Sequence, residues 1–165
     1  MEAMSRRRLA RRGRSFQSRG LSPTECVMSE ALLYPVLAQV ALTFALLFTT
    51  AGMRFAAVSS GKVKAGDIVL GQKAWPTKVQ QYSNAFQNQL ETPILFYAGV
   101  LFAVTLSAAG PILMMLAWTW FGLRVVHAGI HITSNNLRLR FLAFGASVIT
   151  LLAFWVVLAV EVVSR

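Results

Sequence analysis

Four apolar stretches of membrane-spanning length follow one another along the chain, at about residues 31–51, 77–108, 111–133 and 139–163. The first is interrupted only by Gln39 and a few hydroxyls. At about 1.5 Å rise per residue such a helix crosses a hydrocarbon core of about 30 Å. Arg54 is expected to close it. The second begins as a polar segment near Pro76, a residue accepted in a first helical turn, and becomes apolar from Ile94 to Ala108. Gly110-Pro111 leaves room for only a very short turn, which sets the third stretch antiparallel beside the second. Ser134-Asn135-Asn136 leads into the fourth. Only helices or closed barrels satisfy the backbone in lipid, and these runs lack the period-two alternation of barrel strands. The pattern predicts an all-α integral membrane protein, a four-helix bundle without internal repeat.

Polar positions inside these runs fall in two stripes. Asn84, Asn88 and Glu91 lie in the second stretch, Arg124, His127 and His131 in the third, and Arg138 stands just beyond. Offsets of three and four residues put each set on one helical face. Ionisable groups at membrane depth are costly, so each is a functional candidate, and two such faces can make one pocket. Glu91 needs a cation, and Arg124 is the nearest candidate. Pro93 removes one helical hydrogen bond and frees the Gln89 carbonyl between Asn88 and Glu91. His127 and His131 have the spacing of two helical metal ligands, with Glu91 a conceivable third. There is no second carboxylate and no His-Glu-x-x-His arrangement, so a helix-interface pair is the expectation and no metal is predicted. No serine sits in a Gly-x-Ser-x-Gly elbow, and Gly61, Gly66 and Gly71 do not form a phosphate-binding pattern.

Composition agrees with the membrane class, since 56% of the 165 residues are hydrophobic and 13% charged. The net charge of +10 is concentrated at one end. Arg6, Arg7, Arg8, Arg11, Arg12, Arg14 and Arg19 precede the first span without the aromatic interleaving that stacks bases, so no nucleic-acid partner is expected. Residues 1–27 read as a basic, disordered extension at an anionic membrane surface, or as sequence upstream of a start at Met28. Residues 28–165 form the membrane domain. An organelle or twin-arginine targeting peptide is the lesser reading, because no small-residue cleavage site follows a short apolar core. Cys26 is the only cysteine, so neither an intramolecular disulfide nor a thiolate metal cage can form in one chain. With the extension set aside, Arg54, Lys62, Lys64, Lys73, Lys78, Arg138 and Arg140 face Arg165 alone, which puts loops 52–76 and 134–138 in the cytoplasm. With the seven arginines counted, the balance is lost.

The run Asn84-Ala85-Phe86-Gln87-Asn88-Gln89-Leu90-Glu91-Thr92-Pro93-Ile94-Leu95-Phe96 resembles the signature of the MAPEG proteins, the membrane-associated proteins of eicosanoid and glutathione metabolism. Arg124-Val125-Val126-His127-Ala128-Gly129-Ile130-His131 is a second match, and Arg138 follows at the spacing of an arginine placed near the glutathione sulfur. The resemblance covers nearly everything after Met28 and looks closest to a bacterial branch, which implies a multi-pass protein of the bacterial inner membrane. It further implies a homotrimer of four-helix bundles with glutathione between adjacent subunits near the cytoplasmic face. Asn88 and Glu91 would bind its peptide part, Arg124 and Arg54 its carboxylates, and His127 and His131 would complete the face. Arg138 would favour the thiolate.

The reaction implied is thiolate attack on a lipophilic electrophile from the bilayer, or reduction of a lipid hydroperoxide. Three positions depart from the pattern: Asn84 stands where many members have arginine, His131 where a tyrosine is expected, and Pro93 follows Glu91 after one residue rather than two. Two readings follow. Asn88, Glu91 and Arg138 favour a glutathione-dependent transferase or peroxidase. Asn84 favours a non-catalytic protein that binds a lipid or a partner helix in the same cleft. A transporter is a distant third, because no inverted repeat is present.

Overall fold

The computed structural model describes residues 23–69 and 74–164; most of the 1–27 extension, with all seven of its arginines, and Lys73 of the first loop lie outside them. Every regular element among the described residues is helical: α1 (Pro23–Ala31), α2 (Leu33–Ser59), a short 3-10 turn (Ala65–Asp67), α3 (Thr77–Glu91), α4 (Pro93–Thr105), α5 (Pro111–Ile132) and α6 (Leu137–Val163). Three are long and apolar enough to cross a membrane: Val27–Ser59, α5 and α6. The second expected span is divided into a polar α3 and an apolar α4. Thr92 between them keeps helical dihedrals (φ −68°, ψ −30°), so the two run on as one rod interrupted where Pro93 has no N–H to give the Gln89 carbonyl.

The ends of the elements differ from the sequence expectations for local reasons. Helix α1 (Pro23–Ala31) overlaps the last residues of the stretch read as a disordered extension. Leu32 between α1 and α2 also keeps helical dihedrals, and its side chain is fully buried. Arg54 does not end α2; the helix continues to Ser59 because Ala57 packs in a small apolar cluster with Val63 and Val79. It stops where Gly61 takes φ +70° and its N–H bonds back to the Val58 carbonyl at 3.0 Å.

Helix α4 ends at Thr105, short of the expected 108, because Ser107 turns left-handed (φ 56°) and the Ala108 N–H returns to the Ala103 carbonyl at 2.8 Å. Asn135 (φ 52°) terminates α5 in the same way, its N–H on the Ile130 carbonyl at 2.8 Å. Helix α6 starts at Leu137, two residues before the expected 139. There Asn136 is the N-cap, its Oδ1 accepting from the N–H groups of Arg138 and Leu139 at 3.0 and 3.2 Å.

The most extensive contact is between the antiparallel α5 and α6, while α3 packs on α2 and α5. The main apolar core lies in the half of the molecule remote from the 60–76 and 133–136 connections. There Phe96 stacks on Trp120 at 4.2 Å and meets Phe154 edge-on at 6.2 Å, with Leu32, Val100, Leu113 and Leu158 around them. Gly99 brings α4 close to α6, since a Cβ there would stand 2.9 Å from the Phe154 ring. The polar side chains gather in the opposite half.

Candidate functional site

Helix α5 turns its polar stripe inward. Arg124, His127 and His131 are buried, with 0%, 3% and 1% of their surface exposed. The Arg124 guanidinium lies over the Trp120 ring at 6.0 Å and donates from Nη2 to the Asn88 carbonyl and, at 3.2 Å, to Gln89 Oε1. The same Gln89 oxygen accepts from Gln39 Nε2 at 2.9 Å, and both amides are buried. A polar layer of Gln39, Gln89 and Arg124 therefore joins α2, α3 and α5 beside the break at Pro93. Nε and Nη1 of Arg124 have no hydrogen-bond partner among the described residues.

The α3 stripe faces the other way. Asn84 and Glu91 are exposed on the flank of the protomer and Asn88 is half-buried. The Asn84 Oδ1 is taken by Gln80 Nε2 at 2.7 Å, and the Asn88 amide folds back on the Asn84 carbonyl at 3.0 Å. The two stripes do not face one another within the protomer. The Arg124–Glu91 contact expected from sequence is a longer-range charge interaction rather than an ion pair. The Glu91 carboxylate has no hydrogen-bond partner among the described residues.

Towards the loops, His127 Nδ1 lies 3.0 Å from the Arg140 carbonyl. A carbonyl only accepts, so Nδ1 carries the proton. The two histidine rings are 5.9 Å apart and nearly perpendicular, and Phe144 packs against His127 at 5.7 Å. Lys78 Nζ donates to the Ile132 carbonyl at 2.7 Å, and Gln81 Nε2 donates to the His131 and Thr133 carbonyls, so the start of α3 covers the open end of α5. No group of three metal-ligating side chains is assembled among the described residues.

Between α3, α5 and α6 lies a cleft of about 180 Å³ lined by Asn88, His127, Leu137, Arg140, Phe141 and Phe144. Its rim is apolar, Leu137 and Phe141 being 74% exposed, and its polar wall carries a cation and an amide. Such a cleft can hold an anionic or hydrogen-bonding head while the rest of a lipophilic molecule stays in the bilayer. Arg138 is exposed beside it and does not line it, and no side-chain partner for it exists among the described residues. Arg54 is also exposed, on α2, where it donates from Nη2 to Ser83 Oγ at 3.0 Å and stacks over Trp75 at 5.1 Å.

Asn88 and His127 are thus brought together, Arg124 and His131 stand behind them, and Glu91, Arg54 and Arg138 lie on outer surfaces. Sequence reasoning missed three contributors. Gln39 was visible as the one amide in the first span, Gln89 as the residue whose carbonyl Pro93 frees, and Arg140 as the second arginine at a span boundary.

Comparison with curated proteins and with solved structures gives no match. The profile of the MAPEG family matches residues 32–160, from the buried Leu32 ahead of α2 almost to the end of α6, and so takes in every helix that contributes to the polar layer and the cleft. Over that length the agreement covers most of the chain, and the protein belongs to the MAPEG family of helical membrane proteins.

Proposed function

We propose that this protein is a glutathione-dependent transferase or peroxidase acting on lipophilic compounds, working as a trimer of four-span protomers with α3 and α4 together forming the second span. The observation that carries the reading is the cleft at the start of α6, where Asn88, His127 and Arg140 meet under an apolar rim, with Asn88 one helical turn before the exposed Glu91 on α3. Glutathione presents one ammonium, two carboxylates and a thiol. Glu91 suits the ammonium, Arg54 a carboxylate, Asn88 the peptide groups, and an arginine in the first turn of α6 the sulfur. Arg124 supports the site from behind by holding the Asn88 carbonyl.

As a transferase, the thiolate forms a C–S bond to the electrophile and the leaving group departs with its electron pair. As a peroxidase, the thiolate attacks the hydroperoxide, the O–O bond breaks to give the alcohol, and a second glutathione releases the disulfide and water. The excess of basic residues at the loop end favours loops 52–76 and 134–138 on the cytoplasmic side of a bacterial inner membrane. Calorimetric titration of glutathione into detergent-solubilised protein tests the reading. Saturable binding that is lost in Glu91→Gln supports it, and no binding at millimolar glutathione overturns it.

A second reading rests on Asn84. The side chain at that exposed position carries no charge and is already engaged by Gln80. A non-catalytic protein that holds a lipid in the same cleft has no need of a cation there. Lipid binding without glutathione binding in the same titration selects it.

A further inference from the structure

We infer that a second cleft, between the end of α2 and the start of α3, holds the head of an anionic phospholipid of the phosphatidylglycerol class, with an acyl chain lying along α2. This cleft, of about 290 Å³, shares no lining residue with the one around Asn88 and His127, so the inference does not depend on glutathione. Its floor belongs to a single protomer, because Ala57 and Val79 are buried in one cluster with Val63. Met53, Ala56 and Pro76 make apolar walls, and Ser60, Lys62 and Lys78 surround the mouth. No carboxylate lines it among the described residues. It lies where the apolar Val27–Ser59 span gives way to the connection, which is headgroup depth.

The two lysines differ. Lys78 is tethered, its Nζ donating to the Ile132 carbonyl at 2.7 Å and standing over the Tyr82 ring at 5.7 Å, so it gives the cleft a stem and a stationary charge. Lys62 is exposed and has no partner among the described residues, which leaves its three ammonium donors for a phosphate. Residues 52–78 carry Arg54, Lys62, Lys64, Lys73 and Lys78 against Asp67 alone, a balance that draws this end of the protein to an anionic leaflet. From the cleft a shallow track runs along α2 towards the bilayer interior. Thr49, Gly52 and Ala56 stand four, seven and eleven residues after Ala45, and all four are short, exposed and on one helical face. A Cβ at Gly52 would meet nothing within 4 Å. Phe48 and Phe55, 68% and 76% exposed, form a ridge along one side of the track. An acyl chain suits a line of short side chains beside an aromatic ridge, and a phosphate suits the basic mouth at its loop end. A partner helix would account for the track and leave the basic mouth unexplained.

Native mass spectrometry of the solubilised full-length protein, supplied with phosphatidylglycerol and phosphatidylcholine of identical acyl chains, tests the assignment. Phosphatidylglycerol is expected to be retained in preference. Lys62→Gln should lower its retention about fivefold, the factor that one basic residue contributes at an anionic surface. Lys64→Gln removes the same charge from an exposed position that does not line the cleft, and should leave retention near the wild-type level. Ala56→Phe fills the cleft from an exposed position and should abolish the preference at unchanged helicity. Equal retention of the two lipids by the wild type, or equal losses in Lys62→Gln and Lys64→Gln, overturns the site and leaves a diffuse basic surface. Displacement of the lipid by millimolar inorganic phosphate, at ionic strength matched with chloride, overturns it in favour of a free anion, since a docked chain would hold the lipid. A smaller oligomeric mass in Ala56→Phe with retention unchanged overturns it in favour of a contact between copies. Should Ala56→Phe not fold, the comparison of Lys62→Gln with Lys64→Gln decides alone.

Discussion

Arg124 is a fully buried cation whose hydrogen-bond partners in the protomer are neutral, the Asn88 carbonyl and the Gln89 amide oxygen. Gln89 Oε1 serves two donors at once, Arg124 Nη2 and Gln39 Nε2. Gln89→Leu therefore takes one acceptor from a charged donor, which keeps the Asn88 carbonyl, and one from the Gln39 amide, which keeps only a 3.5 Å contact to Thr43 Oγ1, whereas Gln39→Leu removes only the neutral donor. Hydrogen bonds to charged groups contribute about 1.5–3 kcal/mol and neutral ones about 1 kcal/mol. The thermal midpoint in detergent should fall clearly further for Gln89→Leu than for Gln39→Leu; equal losses would mean that Arg124 does not depend on the amide. That Arg124, His127 and His131 share a face was legible from spacing alone. That this face turns inward while Asn84 and Glu91 turn outward was not, because periodicity fixes which residues go together and not which neighbour they meet. The Gln39–Gln89 contact joins positions fifty residues apart and exists only once α2 and α3 are packed.

The helices themselves were legible as elements, since each long apolar run became one or two helices at nearly the expected place. Their ends were not, because ends depend on single side chains and dihedrals rather than on hydropathy. Arginine is a good helix former, so Arg54 on an exposed face gave α2 no reason to stop. At the start of α6 the deciding group is Asn136, whose one oxygen serves the N–H groups of Arg138 and Leu139. Replacing a capping asparagine by alanine costs about 0.5–2 kcal/mol. Asn136→Ala should lower the thermal midpoint accordingly, and Asn136→Asp should hold it, because a carboxylate at a helix N-terminus caps as well as an amide does. If alanine and aspartate behaved alike, the cap would not be what sets the start of α6. This turn also presents Arg140 to the cleft. On the proposed function the alanine variant should weaken glutathione binding as well, and the aspartate variant should not.

For the molecule as a whole the decisive residue is Glu91. It ends α3 at the midpoint of the Thr77–Thr105 rod, and its carboxylate is exposed on the flank of the protomer with no hydrogen-bond partner among the described residues. A carboxylate facing hydrocarbon at the middle of a spanning helix costs a few kcal/mol. In a monomer surrounded by lipid only the longer-range attraction of Arg124 would offset that cost. In the proposed trimer an adjacent protomer would remove it by covering the flank, and the exposed Arg54 and Arg138 are cations a second copy could offer across such a contact. The apolar surface of α6 shows the contrast: Phe141, Ile149, Leu152 and Val156 are exposed and need only lipid, so solvation by the bilayer suffices there. The expected outcome in a mild detergent is a protein mass three times the 18.1 kDa of one chain, measured with the detergent contribution subtracted. Glu91→Leu removes the cost of facing lipid, so it should shift the equilibrium towards smaller species, and Glu91→Gln should do so less. A wild-type mass of one chain would leave Glu91 in lipid and rule out the proposed site between subunits. A trimer equally stable with leucine at position 91 would show that the subunits associate for reasons unconnected with the carboxylate.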